Sequence, residues 1–149
     1  MSTASSPSSL SAPVPGAATL LFNAGIPGFP QAKAFSLRSW ATEESPFYVL
    51  ECQDVLGLRF VVVGPSVFFP SYEPHFGSDV YQALDATGPD DVFLLVILTL
   101  HSRPEDTTAN LLGPVLVNSR TGHALQAVLS GSGYEPQALI VNKSSKAQS

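Results

Sequence analysis

The run VFLLVILTL at 92–100 constrains this 149-residue chain more than any other stretch. It is too short to cross a bilayer as a helix, which takes about 20 residues. It has no polar alternation, so 92–101 reads as a strand buried on both faces. Both sides of that strand must be covered by other parts of the fold. Shorter β-type runs recur at 18–22, 34–39, 47–52, 58–63, 114–118 and 123–129. The last two flank SRTG, with Gly122 closing the turn, and predict a hairpin. These seven strands with Gly, Pro, Asn and Asp between them predict a mostly β fold: a small antiparallel β-barrel-like single domain with one or two short helices.

One helix is expected over 77–88, with Ser78 as N-cap, Asp79 at its positive end, Val80, Tyr81 and Leu84 on one apolar face, and Gly88 ending it. A second helical turn is expected at 107–112. The Ser/Pro/Ala-rich first 18 residues carry no basic residue and no apolar run, so they read as a disordered tail and not as a secretory signal. The chain after about Asn142 reads the same way, which leaves 19–141 as the domain.

The stretch SVFFPSYEP at 66–74 poses a packing problem. Neighbouring residues on an extended strand point to opposite faces, so Phe68 and Phe69 cannot both enter one core from a regular strand. Burying a Phe stabilises by roughly 1.5–3 kcal/mol, so each ring needs cover. One ring is expected inside the barrel and the other under the 77–88 helix or on the surface. The alternative is that both fill core and sub-core layers. Pro70 and Pro74 cannot continue a ladder and would hold Tyr72 and Glu73 in a stiff loop. A stiff loop loses little entropy on binding, and Tyr is a favoured interface anchor. Tyr72 and Glu73 are therefore read as contact residues whose removal leaves stability nearly unchanged. In TANLLGP at 108–114, Asn110 either braces a turn or, with Leu111, faces a partner. In GIPGF at 25–29 the glycines permit positive φ, and Phe29 is expected to plug the core.

Catalytic constellations are missing from the pattern. His75, His101 and His123 have no ligand spacing with one another or with Cys52. Glu43-Glu44 and Asp90-Asp91 read as solvated turn pairs. GSG at 131–133 lacks the rest of a phosphate-cradling motif, and there is no G-x-S-x-G elbow. The single cysteine excludes an internal disulfide and fits a reducing compartment. The reading is a non-enzyme with no cofactor or metal, placed in the cytoplasm. Charge is uneven: the segment from Glu43 to Asp106 holds eleven of the twelve acidic residues and stands at -9, the remainder at +4. An acidic body repels phosphate backbones, which argues against direct nucleic-acid binding, and it attracts basic proteins.

Several blocks, taken in order, resemble the bacterial flagellar assembly factor FliW family: GIPGF at 25–29, SPF at 45–47, LRFVVVGPSVFFPSYEP at 58–74, TANLLGPVLVNSRTG at 108–122 and QAVL at 126–129. The likeness runs from about Phe22 to Tyr134. The chain departs from the pattern in its first strand, in Gly64 where aspartate is common, and after Tyr134. The resemblance implies a barrel-like protein without catalytic activity. It would bind cytoplasmic flagellin and the basic, RNA-binding translational repressor CsrA, block the latter, and so tie flagellin synthesis to export. It would touch neither nucleic acid nor membrane and be a monomer when free. The candidate partner-binding residues are Phe69, Tyr72, Glu73, Asp79, Asn110 and Leu111. A small-molecule-binding or structural β-barrel domain is the alternative.

Overall fold

The computed structural model describes residue 15, residues 17–40 and residues 45–140. The tails at 1–14 and 141–149, and the Glu43-Glu44 pair, lie outside the described residues. The strands are β1 (Ala17–Phe22), β2 (Ala34–Ser39), β3 (Phe47–Cys52), β4 (Arg59–Val63), β5 (Val92–Thr99), β6 (Thr108–Ala109), β7 (Val115–Asn118), β8 (His123–Gln126) and β9 (Ala138–Leu139). One α-helix, α1, spans Ser78–Ala83. The strand order is β4-β3-β2-β1-β8-β7-β5, and β4 pairs with β5 to close a seven-stranded barrel. All barrel pairings are antiparallel except β1 with β8, where Leu21 stands opposite His123. The two-residue strands β6 and β9 extend the sheet beyond β5. Closure leaves the seven barrel strands without an open edge.

The barrel interior takes alternate residues of every wall strand: Leu20 and Phe22, Phe35 and Leu37, Leu50 and Cys52, Val62, Phe93 and Leu95, Val115 and Val117, and Ala124. Phe22 meets Phe35 edge-on, with ring centroids 5.1 Å apart. β5 is covered on both faces, as its composition predicts. Phe93 and Leu95 point inward. On the outer face, Val92 and Leu94 belong to a cluster with Val80, Tyr81 and Leu84 of the α1 region. Val96 and Leu98 belong to a second outer cluster, under Phe68, Phe69 and Tyr72.

The hairpin of β7 and β8 is as predicted. Val115, Leu116 and Val117 stand opposite Gln126, Leu125 and Ala124. Gly122 turns the chain at φ 85°, and its N–H bonds the Asn118 carbonyl at 2.8 Å. A Cβ there would lie 2.5 Å from the Thr19 carbonyl oxygen, so the parallel neighbour β1 also requires glycine.

Four local expectations are corrected. The helix is shorter than 77–88 and is N-capped by Gly77 with no side-chain cap bond, not by Ser78. It ends at Leu84 and Asp85, where Asp85 takes φ 57°, well before Gly88. That stop is fixed from outside: Asn118, fully buried, donates its amide to the carbonyls of Leu84 (2.9 Å) and Asp85 (3.0 Å). At 107–112 the chain forms β6 and a turn in place of a helix, because Thr108 and Ala109 pair with β5 on one side and β9 on the other. In GIPGF the core residue is Ile26, while Phe29 is 38% exposed. The Pro27-Gly28 turn, closed by mutual Ile26 and Phe29 backbone bonds, turns Phe29 outward.

Candidate functional site, an aromatic groove on the barrel wall

The site grows from the end of β4. After Val63, Gly64 leads into a 3₁₀ turn over Pro65–Val67, where a proline at the first position loses no bond because it has no N–H to satisfy. The N–H groups of Phe68 and Phe69 both bond the Pro65 carbonyl, at 3.1 and 2.7 Å. The chain is therefore coiled at the two phenylalanines, and strand alternation does not apply. Both rings join the outer cluster over β4 and β5, and neither enters the barrel or lies under α1. This corrects the expectation of one ring inside. Phe68 stacks on Phe47 at 5.9 Å, and Phe47 meets Trp40 edge-on at 6.1 Å.

Beyond Phe69 the chain turns at Pro70 and Ser71, and Tyr72 bonds back to the Phe69 carbonyl at 3.0 Å. The result is a shallow, predominantly apolar groove lined by Phe69, Pro70, Ser71, Tyr72, Leu111 and Tyr134. Three distant segments are fastened here. The Tyr72 phenol donates to the Leu111 carbonyl at 2.6 Å, and the Leu111 N–H donates to the Glu135 carbonyl at 2.9 Å. Tyr72 and Tyr134 meet edge-on with centroids 4.7 Å apart. Burial, and secondarily the neighbouring Tyr134 phenol, hold the Tyr72 hydroxyl above the usual phenol range.

Among the predicted residues, the structure brings Phe69, Tyr72 and Leu111 together. Glu73 follows Tyr72 and is exposed. Asn110 braces a turn: its Oδ1 accepts the Gly113 N–H at 2.9 Å, and Gln126 Nε2 donates to the Gly113 carbonyl at 2.9 Å. Asp79 is exposed on the first turn of α1, the element that covers the other outer cluster. Tyr72 is half-buried and hydrogen-bonded, so its removal is not structurally silent as the sequence suggested. Tyr134 was missed. The signal was present, since Tyr-Glu-Pro occurs at both 72–74 and 134–136, and the two tyrosines pack on each other.

The other candidates have structural surroundings. Cys52 is buried, and its Sγ accepts the N–H groups of Asp54 and Val55 at 3.3 Å. Asp91 accepts from the Thr87 hydroxyl at 2.7 Å and lies 3.5 Å from Arg120; these Thr87 bonds, with Arg120 adding a smaller pull, hold its carboxyl below the usual range. Among the described residues, no group of three or more His, Cys, Asp and Glu is placed to hold a metal ion. No helix among them is long and apolar enough to cross a membrane.

A closed seven-stranded barrel with an aromatic groove on its outer wall defines a class of small β-barrel whose distinguishing feature is a surface. The family described as FliW protein matches residues 11–140. The flagellar assembly factor FliW of Bacillus pumilus is 40% identical over 80% of this chain and 82% of its own length. That of Bacillus subtilis is 39% identical over 77% and 80%. That of Geobacillus kaustophilus is 38% identical over 76% and 78%. A crystal structure of the flagellar assembly factor FliW superposes with a TM-score of 0.77 at 34% identity, covering 82% of this chain and 84% of that one. The chain belongs to the FliW family.

Proposed function

We propose that this protein is a cytoplasmic flagellar assembly factor that acts by binding other polypeptides. It holds newly made flagellin. When export has depleted flagellin, it binds a CsrA-type translational repressor and blocks it. Flagellin synthesis then follows flagellin consumption. The observation that carries the reading is the groove of Phe69, Tyr72, Leu111 and Tyr134. Its side chains are held by hydrogen bonds and ring contacts before any partner arrives, so docking a segment of partner costs little ordering entropy. A shallow apolar surface of this kind suits an amphipathic segment of polypeptide. Exposed Glu73 stands next to the groove in sequence and favours a basic group on the partner. Family membership supports the flagellar context. The test is a pull-down with tagged protein from the cytoplasm of flagellated cells of the same organism. Recovery of flagellin, and of the repressor when flagellin is depleted, is expected. Recovery of neither, with both expressed, sinks the reading.

A further inference from the structure

A second depression opens on the same outer wall, lined by Arg38, Trp40, Val49, Arg59, Val61 and Leu100. Strand register builds it. Arg38 stands opposite Val49, and Val49 opposite Val61, so three neighbouring strands present these side chains in one row. Trp40 and Arg59 lie two residues from that row, on the same face by strand alternation. The charge here runs against the acidic body. Glu51 is the cross-strand neighbour of Arg59, but its carboxylate is engaged by Arg38 at 3.2 Å. One carboxylate thus stands beside two guanidinium groups. Arg38, Arg103 and Arg120 all have carboxylate partners within 4 Å, whereas Arg59 has none among the described residues. Around it Trp40 is 41% and Leu100 48% exposed. Val61 lines the depression and also belongs to the outer cluster on which Phe69 and Tyr72 pack. Ring contacts link Trp40 through Phe47 to Phe68, the sequence neighbour of Phe69.

We propose that this depression receives a carboxylate from an extended segment of a protein partner, an aspartate or glutamate flanked by aliphatic side chains. The inference rests on the reading of this chain as a polypeptide-binding factor and adds the chemistry of the bound segment. A guanidinium with spare donors selects the carboxylate. Trp40, Val49, Val61 and Leu100 supply apolar area that an inorganic anion has no means to use. The partner would then lie across the wall, with an apolar face on the Tyr72 groove and an acidic residue at Arg59.

The full chain carries a single tryptophan, Trp40, which reports on the site directly. It is titrated with acetyl-Leu-Glu-Leu-Glu-Leu-amide while Trp40 fluorescence is followed. A saturable change is expected, weakened by high salt and about fivefold by Arg59→Gln, the scale of one exposed ion pair. Arg59 is exposed and pairs with no described carboxylate, so this variant keeps its fold. No fluorescence change, equal binding of the Leu-Gln counterpart, or equal binding to Arg59→Gln overturns the proposal. So does the same response to inorganic phosphate, which marks a simple anion site. If Glu43→Gln/Glu44→Gln binds the peptide more than fivefold tighter than wild type, the chain's own acids compete for the site and the partner assignment falls. The peptide titration contains no flagellin, so its failure is separable from failure of the flagellin pull-down.

Discussion

The phenol of Tyr72 donates a 2.6 Å hydrogen bond to the backbone carbonyl of Leu111, 39 residues further along the chain. That bond joins the loop after β4 to the turn before β7, and Tyr134 packs against the same ring from a third segment. The groove is therefore a fastened junction of three segments. Tyr72→Phe keeps the ring contacts and loses the bond, and should lower unfolding free energy by about 0.5–1.5 kcal/mol. Tyr72→Ala also loses the packing and should cost about 2–3 kcal/mol. Urea denaturation of both variants checks the order.

The same phenol links stability to alkaline pH. The Tyr72 hydroxyl ionises above the ordinary value of 10.0 because burial disfavours its charged form. A group raised in the folded state stabilises fully below its unfolded value and loses that contribution as pH climbs through the folded one. Wild type should therefore lose its advantage over Tyr72→Phe as pH rises above about 10. Urea midpoints of the two proteins from pH 8 to pH 11 should converge.

Asn118 connects α1 to the hairpin turn. Its amide serves the helix end at Leu84 and Asp85, and its Oδ1 accepts the Arg120 N–H at 2.9 Å. Asn118→Leu removes every one of these bonds and leaves the carbonyl of buried Leu84 without this donor, at about 1–3 kcal/mol. Thermal unfolding should show a loss of at least about 2 kcal/mol, with hydrogen exchange rising first in α1.

Acid acts through Asp54. Its carboxylate accepts the N–H groups of Ala34 (2.7 Å) and Lys33 (3.0 Å) at the start of β2. These bonds hold its carboxyl below the ordinary value of 3.8. A lowered carboxylate stabilises fully above the unfolded value and is lost as pH falls through the folded one. Wild type should be more stable than Asp54→Asn at pH 6, and the gap should close below pH 3.8.

Strand content was legible because alternation and burial are local. Each wall strand carries its own pattern, and β5 announces its two covers through an unbroken apolar run. Closure was harder to foresee. The parallel contact of Leu21 with His123 joins segments 102 residues apart, and no local pattern encodes it. The two phenylalanines were misplaced because Pro65 begins a 3₁₀ turn, in which successive side chains step by about 120° instead of alternating as on a strand, and both rings reach the same outer cluster. Residues 107–112 suggested helix, but pairing with β5 and β9 outweighs a weak local preference. At the site, Phe69, Tyr72 and Leu111 were readable as large apolar residues beside turn formers. Tyr134 sits in a polar loop, where the repeated Tyr-Glu-Pro was its one trace in the sequence and its packing on Tyr72 is a tertiary contact.

Docking of flagellin on the Tyr72 groove, as proposed, is tested most directly with flagellin itself. Ser71 lines that groove and is exposed, so Ser71→Glu puts a charge on the apolar surface without removing a core contact. Leu56, fully exposed in the β3–β4 turn, supplies the control Leu56→Glu. Purified flagellin is titrated against wild type and both variants by calorimetry. Wild type and Leu56→Glu should bind alike, and Ser71→Glu at least about tenfold more weakly, the penalty for burying an unpaired charge. Equal affinity for all three proteins would contradict the proposed docking.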